Sequence, residues 1–142
     1  MAIMAIDYGD KSIGIAKTDR LEISISEHET LIRKTLEQDL DYIIGLIEEY
    51  SIKTLVMGLP INLDGTSGLI AEKAKEFARL IKEKSKIEVV LQDEKLSSVA
   101  AEQILKERKI HHTKWKEHID QISAAIILQD YIFLKNKRRN KL

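Results

Sequence analysis

The run MAIMAI (1–6) is apolar at every position, and SIGIAKTD (12–19) follows it after Tyr8-Gly9-Asp10-Lys11. Two such runs joined by a short Gly- and Asp-containing segment predict a β-hairpin. In LEISISEHETL (21–31), Leu21, Ile23 and Ile25 alternate with Glu22, Ser24 and Ser26. That period of two predicts a third, half-buried strand. The period then changes. Thr35 and Gln38 have capping-box spacing, and Leu36, Leu40, Ile43, Ile44 and Ile47 fall on one helical face.

A short apolar strand, TLVMG (54–58), leads into LPINLDGTSG, a loop holding the only proline. The next helix is expected from about Ser67 to Lys84, with Ile70, Ala74, Phe77, Ala78 and Ile81 as its stripe. IEVVLQ (87–92) reads as another buried strand, followed by Asp93 and Glu94. Beyond it the pattern gives a helix from about Ser97 to Arg108, a polar loop, and a long helix from about Ile119 to Lys135. Strands first, then alternating helix and strand, predict an α/β fold: a mixed five-stranded sheet flanked by helices, three antiparallel N-terminal strands and two parallel ones. The expectation is a single domain over 1–142, with 136–142 a flexible basic tail. From Lys135 onward there are five basic residues and no acid.

Composition narrows the function classes. Hydrophobic residues make up 44% and charged residues 32%, and 23 Lys plus Arg balance 23 Asp plus Glu. A chain that wraps nucleic acid nonspecifically is basic overall, so any nucleic-acid contact here has to use local positive charge. There is no cysteine, which excludes disulfides and thiolate zinc sites. The N-terminus lacks a basic signal-peptide region, and no apolar run approaches the roughly 20 residues of a bilayer span. The expectation is a cytoplasmic protein without a membrane partner.

Three carboxylates stand where the pattern makes them costly. Asp7 ends the first strand, Glu94 lies two residues past IEVVLQ, and Asp120 opens the last helix. Ser123, Ala124, Ile127 and Tyr131 share the helical face of Asp120, which points it inward. Each has a simple alternative: a turn residue at 7, a solvated loop residue at 94, a helix cap at 120. Burying an unpaired charge costs on the order of several kcal/mol. Functional groups in α/β folds collect at the carboxyl ends of parallel strands, where Asp7 and Glu94 would meet. A pair of Mg²⁺ or Mn²⁺ ions would relieve the repulsion among three such groups, and two ions about 3.5–4 Å apart suit phosphodiester chemistry.

Four blocks carry a resemblance. AIDYGDKSIGIAKTD, LVMGLPINLDGTSG, FARLIKEKSKIEVVLQDEKLSSVAAEQIL and IDQISAAIILQDYI occur in that order and cover nearly the whole chain. They resemble the Asp-x-Gly hairpin, Gly-Leu-Pro loop, Asp-Glu-Arg element and final Asp-x-x-(Ser/Ala)-Ala helix of the YqgF (RuvX) family. That family is named for pre-16S rRNA nuclease activity and shares a ribonuclease H-like fold with Holliday-junction resolvases of the RuvC type. The resemblance implies that Asp7, Glu94 and Asp120 are catalytic, metal-binding carboxylates of a two-metal nuclease, supported by Asp93. It also implies that Gly58-Leu59-Pro60, Asn62 and Ser67 hold a phosphate, with Lys11 and Lys95 as further substrate contacts. Ser97 and Ser98 are better read as helix caps.

The chain departs from the family pattern at three positions. Ser12 and Lys95 stand where the family usually has Arg, and Gln121 where it usually has Lys. At 95 this replaces a bidentate fork with a point charge.

The resemblance therefore points to a metal-dependent nuclease acting on structured RNA, a pre-rRNA favoured over branched DNA. Alternatives are a noncatalytic RNA-binding assembly factor and a junction-resolving endonuclease. An actin-like ATPase is disfavoured, because no second Asp-x-Gly precedes a strand. The oligomeric expectation is a monomer or weak dimer. His111, His112, Trp115 and His118 read as a solvated connector with Lys106, Arg108, Lys109, Lys114 and Lys116 around it, a possible basic patch; Trp115 either packs under the last helix or stacks on a base.

Overall fold

In the computed structural model, the described residues are 2–19, 24–60, 68–94, 106–109 and 115–140. They form strands β1 (Ala2–Tyr8), β2 (Ser12–Thr18) and β3 (Ile25–Ile32), helix α1 (Leu36–Glu49), β4 (Ile52–Pro60), α2 (Leu69–Ser85), β5 (Glu88–Glu94) and α3 (Trp115–Asn140). One sheet has the order β3-β2-β1-β4-β5. β1–β2 and β2–β3 pair antiparallel, whereas β1–β4 and β4–β5 pair parallel. This is the mixed five-stranded arrangement that the pattern predicts.

β1 is apolar throughout because both of its faces are covered. Ala2, Met4, Ile6 and Tyr8 pack with Leu40, Ile43, Phe77 and Ile81 on the side of α1 and α2. Ile3 and Ala5 face the other way and pack with Ala124, Ile127 and Leu128 of α3. A strand buried on both sides reads as a continuous apolar run rather than an alternating one. The edge strand β3 is half-buried, as expected, and of the alternating stretch 21–26 it contains Ile25 and Ser26, residues 21–23 lying outside the described ones.

α1 begins at the predicted capping box. The Thr35 side chain accepts from the Gln38 backbone N–H while Gln38 reaches back to Thr35. Of the predicted stripe, Leu40, Ile43 and Ile47 are buried, Ile44 is half-buried and Leu36 is exposed. Asp39, by contrast, is 1% exposed. It is held by an ion pair from Arg33, Nε to Oδ2 at 2.7 Å.

Several element bounds differ from the sequence expectation. β4 spans 52–60 instead of 54–58, so Leu59 and Pro60 finish a strand rather than begin a loop. Proline at the last strand position is tolerated, because little of the ladder remains to need its missing N–H. β5 likewise takes in Asp93 and Glu94, with Glu94 in register with Pro60. α2 starts at Leu69 with Gly68 as its N-cap. α3 begins at Trp115 rather than Ile119 and continues to Asn140 rather than Lys135. Apart from Trp115 both extensions are polar, so they show no hydrophobic periodicity, yet neither contains Gly or Pro to stop a helix. Asp120 therefore sits in the second turn of α3 instead of opening it.

Candidate functional site

At the carboxyl end of β1, Asp7 pairs with Gly14 of β2 on one side and Gly58 of β4 on the other. Directly opposed residues project on the same face of a sheet. Both neighbours of the aspartate thus lack a side chain on the face toward which it points. Ile6 and Tyr8 face α1 and α2, so Asp7 faces α3.

That same face receives Asp120. A Cβ on Gly14 would overlap the Asp120 carbonyl group and come within 2.8 Å of the Asp120 Cβ. Only a glycine admits the helix backbone this closely. The Ser12 hydroxyl, two residues before Gly14, donates to Oδ2 of Asp120. The structure therefore brings together Asp7 and Asp120, residues more than one hundred positions apart, across one glycine. Both are half-buried.

The row continues across the sheet. Gly58 pairs with Gln92, whose Nε2 donates to the Ile127 carbonyl of α3 at 3.0 Å. Glu94 lies two residues farther along β5, at the same sheet end as Asp7 and two strands away. Strand spacing and rise put the Cα atoms of Asp7 and Glu94 on the order of 12 Å apart. This end, where the chain leaves β1 for β2 on one side and later supplies β4 on the other, is the switch point at which open α/β sheets bind ligands. Glu94 is thus a strand residue at the site's edge, not the loop residue that the apolar pattern places two positions past the strand. Among the described residues, no group of three His, Cys, Asp or Glu is arranged to hold a metal ion.

Two hydroxyls add to the polar lining. Thr30 pairs with Gly14 from β3, and Ser123 follows Asp120 by one helical turn. Oγ1 of Thr30 and Oγ of Ser123 are buried without a hydrogen-bond partner among the described residues. Such atoms are few in folded proteins, and each calls for a cause.

Of the expected substrate contacts, Lys11 is exposed on the β1–β2 turn. Asn62, Ser67 and Lys95 lie outside the described residues, as do Ser97, Ser98, His111, His112 and Lys114. Trp115 and Lys116 stand in the first turn of α3 and His118 is half-buried there. Arg108 of the expected basic patch is engaged with Glu27 of β3 at 2.9 Å. No helix among the described residues is long and apolar enough to cross a membrane.

Ser123 stands on the expected face of Asp120, whereas Gly14 and the Arg33–Asp39 pair are not among the expected site residues. An isolated glycine within a strand marks a close approach, and Asp39 shares a helical face with Ile43 and Leu46; both signals were present.

The family model described as "RuvX: Holliday junction resolvase" matches residues 1–133. A Halothermothrix orenii protein named "Putative pre-16S rRNA nuclease" is 42% identical over 137 residues, covering 96% of this chain and 98% of its own. Its namesake in Syntrophomonas wolfei is 43% identical over 132 residues, or 93% and 94% of the two chains. Among solved structures, T. thermophilus RuvC in complex with Holliday junction substrate superposes with a TM-score of 0.60 at 10% identity, over 95% of this chain and 96% of that one. The fowlpox virus Holliday junction resolvase gives 0.55 at 12% identity, over 95% and 99%. These two likenesses concern the fold, which is RuvC-like and ribonuclease H-like. Matched along nearly its full length by one family model and by relatives at more than 40% identity, the chain belongs to the RuvX (YqgF) family.

Proposed function

We propose that this protein is a divalent-metal-dependent nuclease that hydrolyses phosphodiester bonds of structured RNA, trimming a precursor of 16S rRNA in the cytoplasm. The observation that carries the reading is the convergence of Asp7 and Asp120 across Gly14 at the carboxyl end of the central strand. The relatives' names support RNA as the substrate.

The donor set fits a hard cation. Carboxylate oxygens with hydroxyl and water oxygens suit Mg²⁺ or Mn²⁺, and Asp7 is flanked in the sheet by Gly14 and Gly58, neither of which sets a side chain beside it. Asp7, Asp120 and Glu94 would hold the metal ions. When bound, ions of this kind offset the carboxylates' mutual repulsion and polarise the phosphorus–oxygen bonds of a phosphodiester.

The chain's own residues set the geometry. β1 is hydrogen-bonded on both sides, so the Asp7 backbone is fixed by two ladders. Ser12 donates to one oxygen of Asp120 and so fixes that carboxylate's rotamer. Lys11, exposed on the adjoining turn, offers a point charge to a phosphate. Asn62, Ser67 and Lys95 extend the phosphate-binding surface in this reading, and Asp93 supports the metal ligands.

A junction-resolving activity on branched DNA is the second reading, favoured by the description of the family model. One experiment separates the readings. Purified protein is given structured pre-rRNA fragments and four-way junction DNA, each with Mg²⁺ or Mn²⁺, beside Asp7→Asn. The proposal expects metal-dependent RNA cleavage that Asp7→Asn abolishes without loss of fold. Cleavage of the junction alone would transfer the activity to DNA. Binding of RNA without turnover in any metal would make the protein an assembly factor.

A further inference from the structure

Arg33 belongs to no strand or helix, yet its contacts converge on the turn between β1 and β2. Its backbone N–H donates to the Lys11 carbonyl at 2.9 Å, and its Nη1 donates to the Gly9 carbonyl at 2.9 Å. One residue thus holds the turn at two points. The turn closes on itself through the Gly9 N–H and the Ser12 carbonyl at 3.0 Å.

Arg33 is itself held from behind. Its Nε donates to Oδ2 of Asp39 at 2.7 Å, and Oδ1 of that carboxylate accepts the Lys34 backbone N–H at 3.1 Å. The guanidinium carbon lies 4.6 Å from the centroid of the Tyr8 ring and 5.8 Å from that of Phe77. A planar cation stacked on one side and bonded at two edges has little freedom left. Lysine could not reproduce this, because a single ammonium has neither the fork nor the flat face.

The turn in question adjoins the candidate site on both strands. Asp7 precedes Gly9 by two residues, and Ser12, the partner of Asp120, follows Lys11 directly. Tyr8 faces α1 and α2, whereas Asp7 faces α3, so Arg33 grips the turn from the face opposite the carboxylates. Nothing in this arrangement requires Arg33 to touch substrate.

We propose that Arg33, anchored by Asp39, is a positioning residue for the carboxylate site, fixing the β1–β2 turn so that Asp7 and the Ser12–Asp120 pair keep their spacing. The inference rests on the nuclease reading above. Displacing a reacting group by about 1 Å can cost on the order of a hundredfold in rate.

The test uses the full chain as wild type, Arg33→Lys, Arg33→Met and Ile47→Val, the last a remote core change that controls for stability. Kinetics on the cleaved substrate are joined by amide hydrogen exchange at Gly9 and Mn²⁺ titration followed by electron paramagnetic resonance. The expected result is a fall in kcat of at least about tenfold for both Arg33 variants, with KM changed by less than about threefold. Faster exchange at Gly9 and a weaker Mn²⁺ midpoint should accompany it, Arg33→Lys should not rescue, and Ile47→Val should retain activity. Wild-type kcat and Mn²⁺ binding in Arg33→Lys would overturn the inference while leaving the nuclease reading standing. So would a loss of kcat that merely follows the thermal midpoint across all three variants. A wild type that neither cleaves nor binds Mn²⁺ would end the nuclease reading, and the inference with it.

Discussion

The backbone carbonyl of Asp120 rests on the Cα of Gly14, so close that a single added carbon would overlap it. Because Gly14 is also the strand partner of Asp7, one glycine sets both how near α3 comes to the sheet and how near the two aspartates come to each other.

Gly14→Ala should therefore damage stability and activity together. The obstructing atoms are backbone, which cannot swing aside as a flexible side chain would, so the cost should reach about 3 kcal/mol or more. Gly45→Ala in α1 makes the contrast, since a Cβ there meets nothing within 4 Å. That substitution should stabilise the protein by about 0.5–1 kcal/mol. Urea unfolding of the two variants checks both signs.

Ser12→Ala removes the hydroxyl that donates to Asp120. Losing a hydrogen bond behind a metal ligand typically lowers metal affinity or activity by about 10- to 100-fold. The metal-concentration midpoint of cleavage should shift upward by about tenfold, with the circular dichroism spectrum unchanged.

Asp39→Ala leaves the Arg33 guanidinium without its anchor and the Lys34 N–H without its acceptor. Removing one partner of a buried ion pair typically costs about 3–5 kcal/mol. The urea midpoint should fall accordingly at unchanged m value, because the change concerns contacts rather than the surface exposed on unfolding.

Alkaline pH offers a separate check on the edge of the sheet. Burial, together with a hydrogen bond to Glu29 of β3 and the neighbouring carboxylates, pushes the Tyr42 phenol up to about 12 from its ordinary 10. A raised pKa means that the folded state holds the proton more tightly. This contribution to stability is thus complete below pH 10 and is lost as pH climbs through 12. Stability measured across that window should decline more steeply for wild type than for Tyr42→Phe, which has no proton to lose. Identical slopes would show that the Tyr42–Glu29 contact does not form.

Much of the architecture was legible because burial leaves a period. The alternation near Ile25, the capping box at Thr35 and the stripe through Ala74, Phe77 and Ile81 each reported a local constraint, and each corresponds to an observed element. The polar ends of α3 carried no such signal, and neither did the last residues of β4 and β5, where hydrogen bonding continues after hydrophobicity stops. At the site, the sequence singled out Asp7 and Asp120 as carboxylates in costly places, and the resemblance linked them. What made them neighbours is the missing side chain of Gly14, a fact of tertiary packing. The hold of Arg33 on the turn was hidden for the same reason, because the carbonyls of residues 9 and 11 leave no side-chain pattern, whereas its other partner, Asp39, does lie on the apolar face of α1.

Whether Asp7, Glu94 and Asp120 together bind divalent cations is decided by Mn²⁺ binding measured by electron paramagnetic resonance. Wild type should bind Mn²⁺, and Asp7→Asn, Glu94→Gln and Asp120→Asn should each weaken binding by at least about tenfold while remaining folded. Mn²⁺ affinity unchanged in all three variants would contradict their joint binding of the cations.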